Sequence, residues 1–294
     1  MANRRGNFKF FSAFEYFSPK WRGILGLVFW FLVGALIGNG IVLVVTKFLG
    51  QEAAIEYGTL LSYPVMFIPP MIFAASRSRR REFEIGAAGS PLDSGHFAPL
   101  GGLVCALLVV VVTLAAGFVT DAITSVMPDM PDALKKTLES MTTGTLWINF
   151  LCVSIFAPFF EEWLCRGMVL RGLLDRGVRP VWAILFSAVF FGLIHLNIWQ
   201  MVPAIILGLI FGYVYWKTRS LKLTMLMHFT NNTFALVCSH IDALKDMETW
   251  SDVLGTQLYW IVFCVALLLI ALFFVTFRRL TPPASPLCSS GPGL

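Results

Sequence analysis

Charge is scarce in this chain. Asp, Glu, Lys and Arg make up 13% of its 294 residues, against about 25% in soluble domains. Hydrophobic residues reach 57% and mean hydropathy is +0.76, which excludes a soluble globular domain and indicates a polytopic membrane protein. Paired cysteines are missing too. The six (105, 152, 165, 238, 264 and 288) form no CxxC and fall mostly in apolar stretches, so they read as small packing residues rather than disulfides or a zinc cage. No His-Glu-x-x-His helix is present, and no internal repeat is visible. Pro64, Pro69 and Pro70 break the second apolar stretch without a matching break in the second half, which argues against a transporter of repeated halves. No small-residue cleavage site follows the first apolar stretch, so it reads as a retained anchor.

What the chain does contain is apolar runs. Stretches of about 17 to 25 residues occur near 24–46, 58–76, 100–119, 145–165, 181–197, 201–216, 223–238 and 257–277. The fold class expected is all-α, a polytopic membrane helix bundle with about eight transmembrane helices. The net charge of +5 does not mark a nucleic-acid binder, because the cations are distributed by topology. Lys20 and Arg22 precede the first span, and basic clusters follow the second (Arg77 to Arg81), fourth (Arg171, Arg176, Arg179), sixth (Lys217, Arg219, Lys222) and eighth (Arg278, Arg279). The alternate connections carry Glu52 and Glu56, then Asp121, Asp129, Asp132 and Glu139, then Asp242, Asp246, Glu248 and Asp252. By the positive-inside rule both termini are cytoplasmic. The organisation expected is an interfacial amphipathic segment at 1–23, rich in Phe, then a membrane domain at 24–280, then a disordered, Pro- and Ser-rich cytoplasmic tail at 281–294. Short connections and the lack of organelle signals fit a bacterial plasma membrane.

Ionisable groups inside a span cost a few kcal/mol each, so each one is a candidate functional residue. The run "FFEEWLCR", Phe159 to Arg166, supplies Glu161 and Glu162 behind an uncharged stretch from Leu146 to Phe160. Glu162 and Arg166 are four apart and can pair on one helix face, while Glu161 points about 100° away and is left free. Phe191 lies four before His195, and His228 four before Asn232. The first spacing stacks a ring under an imidazole, and the second puts a ring nitrogen and a carboxamide on one face. His96 and His240 fall in connections. Singly, each of these suits a structural ion pair or an interhelical hydrogen bond. Together, a free carboxylate, two imidazoles and an amide suit water activation and oxyanion binding.

Glu161-Glu162-xxx-Arg166, Phe191-xxx-His195 and His228-xxx-Asn232, in that order on three helices, resemble the motif set of the CPBP family (CAAX proteases and bacteriocin-processing enzymes, also called Abi), which are intramembrane endopeptidases. The motifs cover roughly residues 145–238. The resemblance implies that Glu161 activates the hydrolytic water with help from His195, that His228 and Asn232 form the oxyanion side, and that Glu162, Arg166 and Phe191 give structural support. It implies a membrane-embedded or lipidated peptide as substrate, with the lipid bilayer as surroundings and no nucleic-acid partner. No cofactor is required on this reading. If zinc binds, Glu161, His195 and His228 would be its ligands. The alternative function is a non-enzymatic membrane immunity or scaffold protein that retains the motifs.

Depth poses a test. At about 1.5 Å per residue, Glu161 lies roughly 7 Å from Arg166 or 15 Å from Arg171, His228 roughly 9 Å from Lys222, and His195 roughly 24 Å from Arg179. A shared site therefore requires the fifth span to tilt strongly or to begin below the membrane. The cavity is expected to open to the cytoplasm or laterally to lipid.

Overall fold

The computed structural model describes residues 10–85, 89–140, 145–244, 247 and 249–283. Residues 1–9 of the expected interfacial segment and 284–294 of the expected disordered tail lie outside the described residues. The fold is all-helical among the described residues. After a 3₁₀ turn at Phe10–Phe14 come α1 (Trp21–Leu49), α2 (Gln51–Ile85), α3 (Gly102–Thr124), a short α4 (Asp132–Ser140), α5 (Leu146–Asp175), α6 (Pro180–Leu193), α7 (Ile198–Thr218), α8 (Leu221–Ser239) and α9 (Trp250–Phe277). Six of these (α1, α2, α3, α5, α7 and α9) are long and apolar enough to cross a membrane, and the chain is an integral multi-pass membrane protein. The fifth expected span, α6, has only 14 residues. The seventh, α8, carries His228, Asn231 and Asn232.

The alternation of charge along the sequence becomes a difference between the two ends of the bundle. At one end Arg219 pairs with Asp175 at 2.9 Å, Lys222 with Asp93 at 3.2 Å, and Lys217 donates to the carbonyl of Leu280 at 2.7 Å. At the other end Thr145 donates to Glu56, Trp199 to the carbonyl of Pro128 at 2.8 Å, and the Trp250 amide to Asp121 at 3.3 Å. These are called the basic and acidic ends below. The stretch from Phe14 to Phe17 and the end of α9 both lie at the basic end, where Arg171 reaches the carbonyl of Phe14 and Lys217 that of Leu280.

Close helix approach depends on glycine where the sequence places it. A Cβ on Gly34 would sit 2.1 Å from the carbonyl oxygen of Met66, so α1 and α2 can meet only over a bare backbone. Pro64, Pro69 and Pro70 leave α2 continuous. In a bilayer, neighbouring helices and small local adjustments satisfy the backbone groups that proline frees, so these prolines do not end the helix as the sequence suggests.

Helix α5 runs through the centre, in contact with α2, α6, α7 and α8. It is not uniformly α-helical. Phe150–Phe156 and Trp163–Leu170 are π-helical, with an α-helical stretch, Ala157–Glu162, between them. Such wide turns re-aim side chains and are frequent at functional sites.

Candidate active site

The two glutamates close the α-helical stretch of α5, and their carboxylates have different partners. The Glu162 side chain is fully buried. Its Oε1 takes Arg166 Nη1 at 2.7 Å and His228 Nδ1 at 3.2 Å. Arg166 also donates to the carbonyl of Gly208 at 3.1 Å, and its guanidinium lies 4.5 Å from the Phe191 ring centre and 5.3 Å from that of Phe211. Two aromatic faces therefore stabilise a cation that lipid would otherwise expel. Gly208 makes this possible, because a Cβ there would come within 3.1 Å of the Ala188 backbone and 3.3 Å of Arg166 Nη2.

Glu161 is not free, as the sequence suggested: its Oε1 accepts a hydrogen bond from Tyr63 on α2. Its Oε2 is buried without a hydrogen-bond partner and lies 4.0 Å from His195 Nε2 and 4.0 Å from His228 Nε2. The proton positions follow from the remaining bonds. His195 Nδ1 is 2.8 Å from the carbonyl of Phe191. A carbonyl only accepts, so this nitrogen carries the proton. His228 Nδ1 meets the Arg-paired carboxylate of Glu162 and donates for the same reason. In the neutral imidazoles both Nε2 atoms are then acceptors facing a third acceptor. Three lone pairs meet around a gap that needs a hydrogen donor to fill it.

Asn232 completes the wall. Its Nδ2 donates to the carbonyl of Val153 in the first π-helical segment at 2.9 Å, and its Oδ1 accepts from Asn231 at 3.2 Å. One amide hydrogen remains for the cavity. Phe191 touches both imidazoles, 5.2 Å from His195 at 85° and 5.5 Å from His228 at 78°. The expected parallel stack is an edge contact, and the ring orients two histidines rather than one. All four candidate catalytic residues line one cavity of ≈ 410 Å³, together with Tyr63 and Gln200.

The depth problem has a simple source. The side chains of Arg166 and Arg171 are both fully buried, so neither marks the membrane surface. Counted from Arg176 instead, the first residue past α5 and only partly buried, Glu161 rises about 22 Å at 1.5 Å per residue, and the 14 residues of α6 lift His195 to the same level. His195 lies not in a span but in the turn that follows α6. Leu196 is left-handed there (φ 57°), and the Asn197 side chain caps α7 by accepting from Gln200 N at 2.9 Å. The α6–α7 pair thus turns back at the site, and α7 starts at Ile198 rather than near residue 201.

Zinc can be tested on these distances. Three ligands of a tetrahedral zinc, each at about 2.1 Å, lie about 3.4 Å apart, closer than the 4.0 Å separations here. Among the described residues no group of three His, Cys, Asp or Glu is arranged to hold a metal ion. The Glu161, His195 and His228 set as it stands does not fit the metal. A water about 2.8 Å from each atom spans 4.0 Å with an angle near 90°.

Tyr63 is the residue that reading the sequence missed. Its signal is faint, one of several hydroxyls (Thr59, Ser62, Tyr63) in an apolar span, beside Pro64. The cations read as surface anchors are also misjudged, since Arg171 is fully buried and Arg219 nearly so.

Residues 143–234 match the family model described as type II CAAX prenyl endopeptidase Rce1-like, a range that contains every residue of the site except Tyr63. A stretch of 109 residues is 24% identical to YdiL of Bacillus subtilis (strain 168), named as a candidate membrane peptidase, and covers 37% of this chain and 43% of that protein. No solved structure matches the chain. The match to this family of CAAX-type membrane endopeptidases falls on the segment that holds the two glutamates, the two histidines and Asn232.

Proposed function

We propose that this protein is an intramembrane endopeptidase that uses Glu161 to activate water against a peptide bond of a membrane-embedded or lipidated substrate. The observation that carries the reading is the buried, unpartnered Oε2 of Glu161, 4.0 Å from two imidazole nitrogens inside a cavity. Water in that gap donates its hydrogens to acceptors that otherwise repel one another.

In the reacting state His228 carries a proton on each ring nitrogen, with Nδ1–H on Glu162 and Nε2–H facing the cavity. Glu161 then takes a proton from water as the water oxygen bonds to the carbonyl carbon. The carbonyl electron pair moves onto its oxygen, and His228 Nε2–H and the spare Asn232 N–H stabilise that oxyanion. As the oxyanion collapses, the C–N bond breaks and Glu161 returns the proton to the leaving nitrogen. His195 shares the water with Glu161, and Tyr63 holds the carboxylate in position.

The test uses purified protein in liposomes with membrane peptides, comparing wild type with Glu161→Gln and His228→Ala by mass spectrometry. Cleavage by wild type alone is expected. Equal cleavage by all three would remove the assignment and favour an immunity or scaffold role.

A further inference from the structure

The two ends of the bundle do not give equal access to the site. At the basic end, two stretches of chain are bound across α5. All five N–H groups of Arg171 donate to carbonyl oxygens: Gly167 at 2.7 Å, Glu15 at 3.1 Å, Ser90 at 2.6 Å, Phe14 at 3.1 Å and Phe17 at 2.6 Å. Tyr215 donates to the carbonyl of Leu92 at 2.9 Å, and Ser220 to Asp93 at 3.0 Å. Beneath this seal, Trp163, Leu164, Cys165, Met168, Val169 and Leu170 are each 0% exposed. About ten residues of close-packed helix, roughly 15 Å, separate the seal from Glu161.

The cavity lies on the other side. Its lining includes Thr59 from the start of α2, Cys152 and Val153 from the start of α5, Gln200 from the first turn of α7 and Ala235 near the end of α8. Each of these positions is towards the acidic end of its helix. One wall is Phe31 and Met66 of the α1–α2 pair, and the facing wall is Ile194 and His195. At the basic end the same two walls are joined by Trp21 and Phe186, whose rings lie 4.9 Å apart. That contact lines a separate cavity of ≈ 570 Å³, with Trp182 and Leu185, that shares no residue with the site, so the wedge that holds the site is closed off from the basic end. Beside His195, Leu193 and Leu196 are 54% and 85% exposed, a greasy lip suited to lipid.

We infer that substrate enters through the wedge between α1–α2 and α6–α7, from the acidic-end half of the bilayer, and that the substrate is a membrane-embedded peptide segment cut within that half. This rests on the endopeptidase reading and narrows it: a tail presented at the basic face meets the Arg171 seal. Unwound peptide backbone is tolerated in a membrane only where polar groups or water meet it. Thr59, Gln200 and Asn232 supply such groups along the wedge.

Two measurements test it. In a background with Cys152→Ser, Cys264→Ser and Cys288→Ser, Gln200→Cys in sealed vesicles is exposed to a membrane-impermeant charged maleimide from one side at a time. Val126→Cys (acidic end) and Lys222→Cys (basic end) report which side is which. Gln200→Cys is expected to react from the side that labels Val126→Cys; reaction from the other side, or from neither, overturns the inference. Next, a single-span peptide with a lysine cluster at one end is co-expressed, so that the same charge rule orients both proteins, and the cut is mapped by mass spectrometry. The cut is expected in the half away from the lysines. A Glu161-dependent cut in the lysine-side half overturns the access route and leaves the endopeptidase reading intact. If wild type and Glu161→Gln cut alike, the reading itself falls, and the labelling still decides the route.

Discussion

Arg166 and Arg171 sit five residues apart on α5, neither with exposed side-chain surface, and they are held in different ways. Arg171 places all five donors on backbone carbonyls, three of them from the Phe14 to Phe17 stretch. Arg166 has one carboxylate, one carbonyl and two aromatic faces, and its Nε has no partner. The first arrangement is a fastener, saturated and set in fixed dipoles. The second is a counter-ion in a small cluster of charges at the cavity wall. The same residue type thus marks the boundary between the half of α5 that closes the bundle and the half that faces the cavity.

Substitutions can break or sharpen this contrast. The largest effect is expected at the cavity: Glu161→Gln should lower cleavage roughly 10²–10⁴-fold while the detergent melting temperature stays within a few degrees of wild type. A large drop in that temperature would mean Glu161 is structural. Arg171→Ala should do the reverse. It removes five hydrogen bonds to backbone carbonyls and should destabilise by about 3–5 kcal/mol, read as loss of monodisperse protein or of its thermal transition. Arg171→Lys keeps three donors and should fall between the two.

Arg166→Met leaves Glu162 buried beside His228 without its main counter-ion. The double variant Glu162→Gln with Arg166→Met removes both charges and should recover about 2 kcal/mol of the loss. Its activity should not recover, because His228 has lost its ionised acceptor. Recovery of cleavage in the double variant would show that the charge on Glu162 is dispensable. The smallest effect is expected for Tyr63→Phe, about a tenfold fall in kcat, or 1.4 kcal/mol, at unchanged KM. A rise in KM alone would make Tyr63 a binding residue.

The legible part of the site was the part that charge and spacing reveal. Glu162 with Arg166, Phe191 with His195, and His228 with Asn232 follow from four-residue offsets in apolar sequence. The α6–α7 turn was half-legible: Asn197 is a good cap, but the apolar run on either side hides where the helix stops. Arg171 was misread because its partners are carbonyls, which every residue carries and no pattern marks. Counting depth from Arg166 failed for a related reason, since a cation in a span marks the surface only when it reaches water. Tyr63 left no periodic trace at all.

The Arg171 fastener also bears on how the protein is assembled. Its carbonyl partners belong to residues 14 to 17, 90 and 167, all synthesised before Arg171 itself. In a chain that folds from its N-terminus as it is made, the guanidinium emerges to find its acceptors already in the membrane and locks stretches up to 157 positions apart as α5 docks. Deleting residues 10 to 17 would therefore damage a helix synthesised some 130 residues later, and the lesion should appear first as failed insertion of α5 rather than as a lost N-terminal contact.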